Sequence, residues 1–335
     1  MKKKRTLCIL AILLSSLLLF FLVVNLIPPA PVVEENPFRV GKGELPMIAA
    51  HRGGSINNPE NTMLAFREAV YTVDVDILES DLYLTKDGHL VYNHDAYIDR
   101  TCNVNGDLSA DQVRELCREE SNRHYIRDMT LEELRQYNFG YYFTDAEGNR
   151  PYRDVADPAA MGLQIATVEQ LFSEFAERHP DLLFIVEIKD GGERGIEACR
   201  LLDEALSQYP VYRDRIVVGT FHPEVEEELA RTYPHLLHGA STSSAAAFYV
   251  THLLGVNLFY NGDFACLQIP MSYDLGITVP LDLRSLIRRA HRRNMAVQYW
   301  TISTAEEMRE LIELGCDCIM TDDPALMKRV LEEYQ

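Results

Sequence analysis

MIAAHRGGSINNPENT, residues 47–62, passes from a short apolar run straight into His51, Arg52 and two glycines, and then, after Pro59, into Glu60 at the head of a helical pattern. A buried strand usually gives way to a bland turn. This one delivers an imidazole and a guanidinium, which suits the mouth of an anion-binding site. The same step from strand to helix repeats along the chain. Apolar or β-branched runs at 47–50, 76–84, 182–189, 215–221, 236–240, 265–269, 296–302 and 318–321 alternate with helical patterns at 62–71, 194–208, 224–232, 305–314 and 325–333. Such alternation, with no boundary between halves, predicts a parallel sheet with helices outside it. Eight parallel strands over about 250 residues close a TIM (β/α)8 barrel.

Three stretches lie outside that rhythm. Thr6 to Ile27 is uncharged and follows Lys2, Lys3, Lys4 and Arg5; as a helix of about 22 residues it spans roughly 33 Å, enough to cross a bilayer. It is long for a signal-peptide core and no A-x-A-like cleavage site follows, so residues 1–27 read as a cytoplasmic tail and signal anchor rather than a cleaved signal peptide. All four cations precede the span, which puts the N-terminus in the cytoplasm and the rest of the chain outside the cell membrane. Residues 28–46 are rich in Pro and Gly and lack periodicity, as an extended linker does. The barrel domain is then 47–335. It is interrupted at about 99–160 by polar turns, helical patterns at 109–119 and 130–137, the latter opened by a Thr130/Glu133 capping box, and an aromatic cluster, Phe139 to Phe143. The interruption is small and flanked by strand material, which makes it an insertion rather than a second domain.

The chain has 335 residues, 47% of them hydrophobic, and a net charge of −19. A surface that acidic repels phosphate backbones, so nucleic acid is excluded as a partner. An anionic substrate would need a local exception built from a metal and a few basic groups. The seven cysteines match no zinc spacing and read as packing residues.

Ionisable and polar residues gather where the strands end: His51 and Arg52, Glu79 and Asp81, His94 and Asp95, Glu187 and Lys189, Gln268, Trp300 and Asp322. In a barrel of parallel strands, C-terminal ends open on one face, so residues distant in sequence converge there. Glu79 and Asp81 share a strand face because side chains alternate with period two. Two inward carboxylates that close repel unless a cation lies between them, and Glu187 offers a third oxygen ligand; such a trio suits Ca²⁺ or Mg²⁺. The competing reading, acids paired with surface lysines, fits poorly with the apolar residues around all three. Arg52, Lys189 and the cation together make a phosphoryl clamp, and Gly53 and Gly54 let the loop turn beside it. A lone strand-end histidine is most often structural. His51 and His94 together, next to the clamp, can split the acid and base tasks of phosphodiester hydrolysis. His222 also follows a strand and merits attention.

His51-Arg52-Gly53, Pro59-Glu60-Asn61-Thr62, Glu79-x-Asp81, Thr85-Lys86-Asp87-Gly88, His94-Asp95, Glu187-x-Lys189, Trp300 and Thr321-Asp322-x-Pro324 occur in this order from Ile48 to the C-terminus. In these motifs the chain resembles the glycerophosphodiester phosphodiesterase family. The resemblance implies a TIM barrel, a divalent cation, and hydrolysis of glycerophosphodiesters to sn-glycerol 3-phosphate and an alcohol. It also implies His51 and His94 as the acid/base pair, Glu79, Asp81 and Glu187 as metal ligands, and Arg52 and Lys189 as phosphate contacts. Glu60 would hold the metal or orient its water, and Trp300 would pack on the glycerol or alcohol. The membrane span and the long 99–160 region depart from a minimal member and leave the leaving alcohol open. A lysophospholipase D-type activity and a phosphodiesterase of glycerophosphate polymers such as teichoic acid are alternatives, as is a non-catalytic surface binding protein. Attack by water and attack by the substrate's own hydroxyl are equally compatible with these residues.

Overall fold

Each of the eight apolar runs forms a strand: β1 (Met47–Ala50), β2 (Ile77–Leu84), β3 (Leu183–Ile188), β4 (Ile216–Gly219), β5 (Leu237–His238), β6 (Cys266–Ile269), β7 (Ala296–Tyr299) and β8 (Cys318–Thr321). The structure is a computed structural model describing residues 2–335, with side chains from Arg5 onward. The strands are parallel and ordered β5-β4-β3-β2-β1-β8-β7-β6. The outer two meet through a parallel bridge between Gly239 and Cys266. Backbone hydrogen bonds from Ala265 N–H to His238 O and from Ala240 N–H to Cys266 O, both 2.8 Å, flank it. The result is a nearly closed barrel of TIM type. Helices Val168–Phe175, Thr242–Leu253 and Arg284–His291, which the periodic pattern does not single out, complete the outer ring.

Alternation along the strands explains the barrel's two ends. Ala49, Ile77, Leu183, Ile185, Val217, Ala265, Cys266, Ala296 and Cys318 form one apolar cluster inside the lower barrel. Continuing upward in steps of two along the same faces leads from Ala49 to His51, from Ile77 to Glu79 and Asp81, from Ile185 to Glu187 and Lys189, and from Cys318 through Met320 to Asp322. The inner face therefore starts apolar and ends ionisable. Outward-facing residues such as Leu78, Phe184 and Val297 join helix residues Phe66, Phe172 and Met308 in the main core.

Residues 28–46 contain no helix or strand, but they do not hang free of the barrel. Phe38 is fully buried and joins the apolar cluster at the barrel's underside. The Asn36 amide donates to Ala265 O (2.9 Å) and Asn294 O (2.8 Å), and Arg39 pairs with Asp317. A few anchor residues suffice to seat an aperiodic segment, and periodicity does not register them. Ahead of it runs the helix Lys2–Leu26; its 22-residue stretch Arg5–Leu26, of mean hydropathy 3.1, is long and apolar enough to cross a membrane. The side chains of Lys2 to Lys4, on which the expected orientation depends, lie outside the described residues.

Between β2 and helix Val168–Phe175 the chain builds a cap. Its small core consists of Val91, Ile98, Cys102, Ile126, Leu131, Leu134, Phe139 and Ile165. Both expected helical patterns are present but shorter, as Ala110–Leu116 and Leu131–Leu134, each opened by a capping box. The aromatic cluster packs within the cap: Tyr141 stacks edge-on with Tyr142, and Phe143 lies against Tyr152. All seven cysteines are free thiols, six of them buried.

Candidate active site

Above β1 the chain turns sharply through His51–Gly53, with Arg52 (φ 53°), Gly53 (φ 81°) and Gly54 (φ 91°) all in the left-handed region. The glycines are needed for space as well as φ: a Cβ on Gly53 would lie 2.9 Å from Ala65 Cβ, and one on Gly54 2.9 Å from Pro324 Cγ. This turn aims the Arg52 backbone N–H at Glu79 Oε2 (2.8 Å) and brings the Arg52 guanidinium to 3.3 Å from both Asp81 and Glu60. Arg52 Nε is buried without a hydrogen bond.

His51 Nδ1 lies 2.7 Å from Asp322 Oδ1 at the end of β8, and Nε2 lies 3.9 Å from Glu79 Oε2. With its Nδ1 proton given to Asp322, the ring presents Nε2 to the site. Burial alone would lower the His51 pKa, but Glu79 and Asp322 outweigh it and raise it. His94 repeats the arrangement, with Nδ1 2.9 Å from Asp95 Oδ1. It reaches the mouth by a route that differs from the expectation. The short strand Leu90–Tyr92 is antiparallel to β2, and Asn93 N–H donates to Asp81 O (2.9 Å), so His94 descends from above the barrel instead of ending a barrel strand. The imidazole still stands within electrostatic reach of Asp81 and Glu187 and favours the charged form of both.

Asp81 and Glu187 are register partners on β2 and β3, and Lys189 Nζ lies between them, 3.1 Å from Asp81 Oδ1 and 2.9 Å from Glu187 Oε1. Burial and the neighbouring Asp81 push Glu79 up to about 7. Asp81 is lowered despite its burial, because Lys189 and Arg52 flank it. Among the described residues, no group of three or more His, Cys, Asp or Glu side chains stands as a metal cluster. What converges is a ring of three carboxylates, one ammonium, one guanidinium and two carboxylate-backed imidazoles. Such a ring can hold a tetrahedral anion and move protons on either side of it.

The model of the glycerophosphoryl diester phosphodiesterase family matches residues 51–326. The chain belongs to that family. It is a phosphoric diester hydrolase, a glycerophosphodiester phosphodiesterase. Among similar proteins, a glycerophosphodiester phosphodiesterase of Caldanaerobacter subterraneus subsp. tengcongensis is 28% identical over 280 residues, 83% of this chain and 94% of that one. A lysophospholipase D of Rattus norvegicus is 48% identical over only 60 residues, 18% of this chain and 19% of that one. Two solved structures share the fold. The glycerophosphoryl diester phosphodiesterase domain of a Mycobacterium tuberculosis protein has a TM-score of 0.67 at 18% identity, covering 85% of this chain and 99% of that one. An Oleispira antarctica phosphodiesterase in complex with the product sn-glycerol-3-phosphate has a TM-score of 0.61 at 20% identity, covering 86% and 97%.

In this enzyme Glu60 is held from the cap. Arg100 from the cap grips both its oxygens, at 2.8 and 2.6 Å, and reaches Asp95 at 2.5 Å. That grip holds the Glu60 carboxyl below its ordinary pKa against the opposing effect of burial. Trp300 directly follows the C-terminal end of β7, at the mouth, and is 36% exposed. His222 Nε2 lies 3.0 Å from the backbone oxygen of Lys189. Gln268 Nε2 donates to Oε1 of Gln298 (3.0 Å), its register partner on the neighbouring strand.

Four residues acquire functions that the sequence did not supply. Asp322 and Asp95 orient the two imidazoles, Arg100 ties Asp95 to Glu60, and Asn61 (φ 56°) donates from Nδ2 to Asp81 Oδ2 at 2.9 Å. The adjacency of His94 and Asp95, and the strand-end position of Asp322, were the available signals for the first two.

Proposed function

We propose that the enzyme hydrolyses glycerophosphodiesters to sn-glycerol 3-phosphate and an alcohol with His51 and His94 as its acid/base pair and a divalent cation, Ca²⁺ or Mg²⁺, in the site. One observation carries the reading: two imidazoles, each held at Nδ1 by its own aspartate, flank one cluster of buried carboxylates and cations. Either imidazole is oriented to accept the proton of the attacking hydroxyl at Nε2 while the other supplies a proton to the departing alkoxide.

Glu79, Asp81 and Glu187 fit a hard divalent ion by their chemistry, and Glu79 near Asp81 is a pair whose mutual repulsion a cation relieves. When bound, the ion neutralises charge growing on the phosphoryl oxygens. Arg52 and Lys189 hold the phosphoryl group from the protein side, and Arg52 Nε, which is ion-paired with Asp81 but makes no hydrogen bond, is a donor available for it. Trp300 packs on the glycerol or alcohol part. Helix Arg5–Leu26 is read as a single-pass anchor with the N-terminus cytoplasmic and the barrel outside the cell membrane. The test is product identification from a panel of glycerophosphodiesters with and without Ca²⁺ or Mg²⁺; a chain that cleaves none of them, or cleaves them equally after exhaustive chelation, overturns the reading or its metal.

A second reading, lysophospholipase D-type hydrolysis, draws support from the 60-residue match to the rat enzyme. Against it, the aromatic residues of the cap pack on one another instead of lining an acyl slot. Parallel assays on glycerophosphocholine and lysophosphatidylcholine separate the two.

A further inference from the structure

The end of the barrel opposite the mouth carries a surface unlike the rest of this acidic chain. Arg284, Arg288, Arg289, Arg292 and Arg293 all fall within ten residues, on helix Arg284–His291 and the turn leading into β7. Arg293 is buried, donating to Asn257 O, Leu258 O and Tyr260 O, and Arg284 donates to Glu313 O. Arg288, Arg289 and Arg292 have no ion pair among the described residues, although the chain holds 51 acidic side chains to 32 basic ones. Cations in a helix's last turn complement its dipole. That accounts for their sign but not for the lack of any carboxylate partner. Arg289 is even depressed below its ordinary pKa by burial and by Arg292 beside it.

Next to these cations lie Leu253, Leu254 and Phe259, which are 64%, 61% and 57% exposed. They lie at the C-terminal end of helix Thr242–Leu253 and in the segment that leads on to β6, again on the underside. The apolar N-terminal helix leaves the barrel at this same place. Phe20 stacks on Phe259 (6.4 Å, 9°), the Asn25 amide donates to Gly255 O (3.2 Å), and Arg292 donates to Ile27 O (2.7 Å). Exposed leucines and a phenylalanine beside unpaired arginines, at the foot of a bilayer-length helix, match an interface of acyl chains and anionic headgroups. Another apolar projection, the hairpin Ser272–Asp274 with Thr278–Pro280 at the mouth, exposes Leu275 and Ile277 but has Asp274 and no cation.

We propose that the underside of the barrel docks on the leaflet from which the helix emerges, Arg288, Arg289 and Arg292 meeting anionic phospholipid headgroups and Leu253, Leu254 and Phe259 entering the interface. The catalytic mouth is then held on the side away from that leaflet, and substrate arrives from the aqueous side rather than out of the same membrane. This rests on reading Arg5–Leu26 as a membrane span.

Trp300, at the mouth, is the one native tryptophan and serves as an internal reference. The full chain and its Phe259→Trp variant are reconstituted into vesicles of phosphatidylglycerol and chain-brominated phosphatidylcholine. Bromine should quench most of the emission that the variant adds and leave the parent's Trp300 emission unchanged. Arg288→Glu/Arg289→Glu in the Phe259→Trp background, or replacement of phosphatidylglycerol by neutral lipid, should reduce that quenching. Hydrogen exchange of residues 253–259 in the parent, slowed by vesicles, checks the result without the substitution. A chain that alkaline carbonate strips from the vesicles overturns the span and the docking with it. An integral chain whose introduced indole is unquenched, or whose Trp300 is quenched as strongly, overturns the docking alone.

Discussion

Asp81 and Glu187 face each other across neighbouring strands, and a single ammonium, Lys189 Nζ, serves both carboxylates at 3.1 and 2.9 Å. Lys189 is itself only 14% exposed at the side chain, so water does little to replace it. Lys189→Met should therefore leave two acids facing one another and cost about 3 kcal/mol in metal-free buffer, read by urea denaturation. If the acids accept a divalent ion, added Ca²⁺ or Mg²⁺ should stabilise the variant more than the parent. Equal stabilisation would mean that the ion does not sit beside these acids.

The carboxylates behind the imidazoles give a separate test. Asp322→Asn and Asp95→Asn each keep shape but lose the anion that fixes the ring and stabilises its charged form. We expect kcat to fall by about 10²–10⁴-fold while circular dichroism shows the parent's fold. His51→Ala and His94→Ala should fall at least as far. Full activity in either histidine variant removes that residue from proton transfer.

The barrel was legible because its signal is repetitive: eight apolar runs alternate with helices, and the step-of-two pattern already put Glu79 with Asp81 and Glu187 with Lys189 on common faces. The His94 route was not legible, since Leu90–Tyr92 is three residues long and pairs antiparallel only through its fit to β2. The same holds for Arg100. It sits in an aperiodic cap, and its link to Glu60 spans 40 positions that no local pattern connects. The seat of residues 28–46 depends on Asn36 and Phe38 meeting groups from β6 and β7 regions far along the chain. Periodicity reports faces, whereas single long-range anchors appear only in three dimensions.

Metal removal should be visible in stability as well as rate. With Glu79, Asp81 and Glu187 as ligands, a cation at about 100 times its Kd adds about 2.7 kcal/mol. Chelation should lower the melting temperature and abolish hydrolysis together, and Ca²⁺ or Mg²⁺ should restore both. Unchanged melting with lost activity would place the ion on the substrate instead of the protein.

Asp95 sets an acid-side pH dependence. Burial pushes its carboxyl up, but the His94 hydrogen bond and Arg100 prevail and bring it down to about 2 from an ordinary 3.8. The folded state therefore binds this proton less readily than the unfolded chain. The stabilisation is fully present above about pH 4 and is lost as pH falls toward 2. Asp95→Asn should flatten that part of the stability–pH curve relative to the parent, in urea titrations across the range. A curve of unchanged slope would show that the pair with His94 and Arg100 gives no net stabilisation.

Phe38 tests whether the segment before the barrel is part of the fold. Its ring is fully buried against Ala49, Ile77, Leu183 and Ala265 at the underside, far from the mouth where His51 and Lys189 lie. A phenylalanine so placed costs about 3–5 kcal/mol when truncated to alanine, through lost burial and the cavity left behind. A residue in a solvated tether would cost within about 0.5 kcal/mol. Phe38→Ala should therefore lower the urea midpoint strongly. Because the proposed catalytic groups occupy the opposite end of the strands, kcat/KM of the folded variant should stay close to the parent's. A midpoint that does not move would return residues 28–46 to the status of a linker, and a collapse of kcat/KM without loss of stability would show that the underside communicates with the mouth.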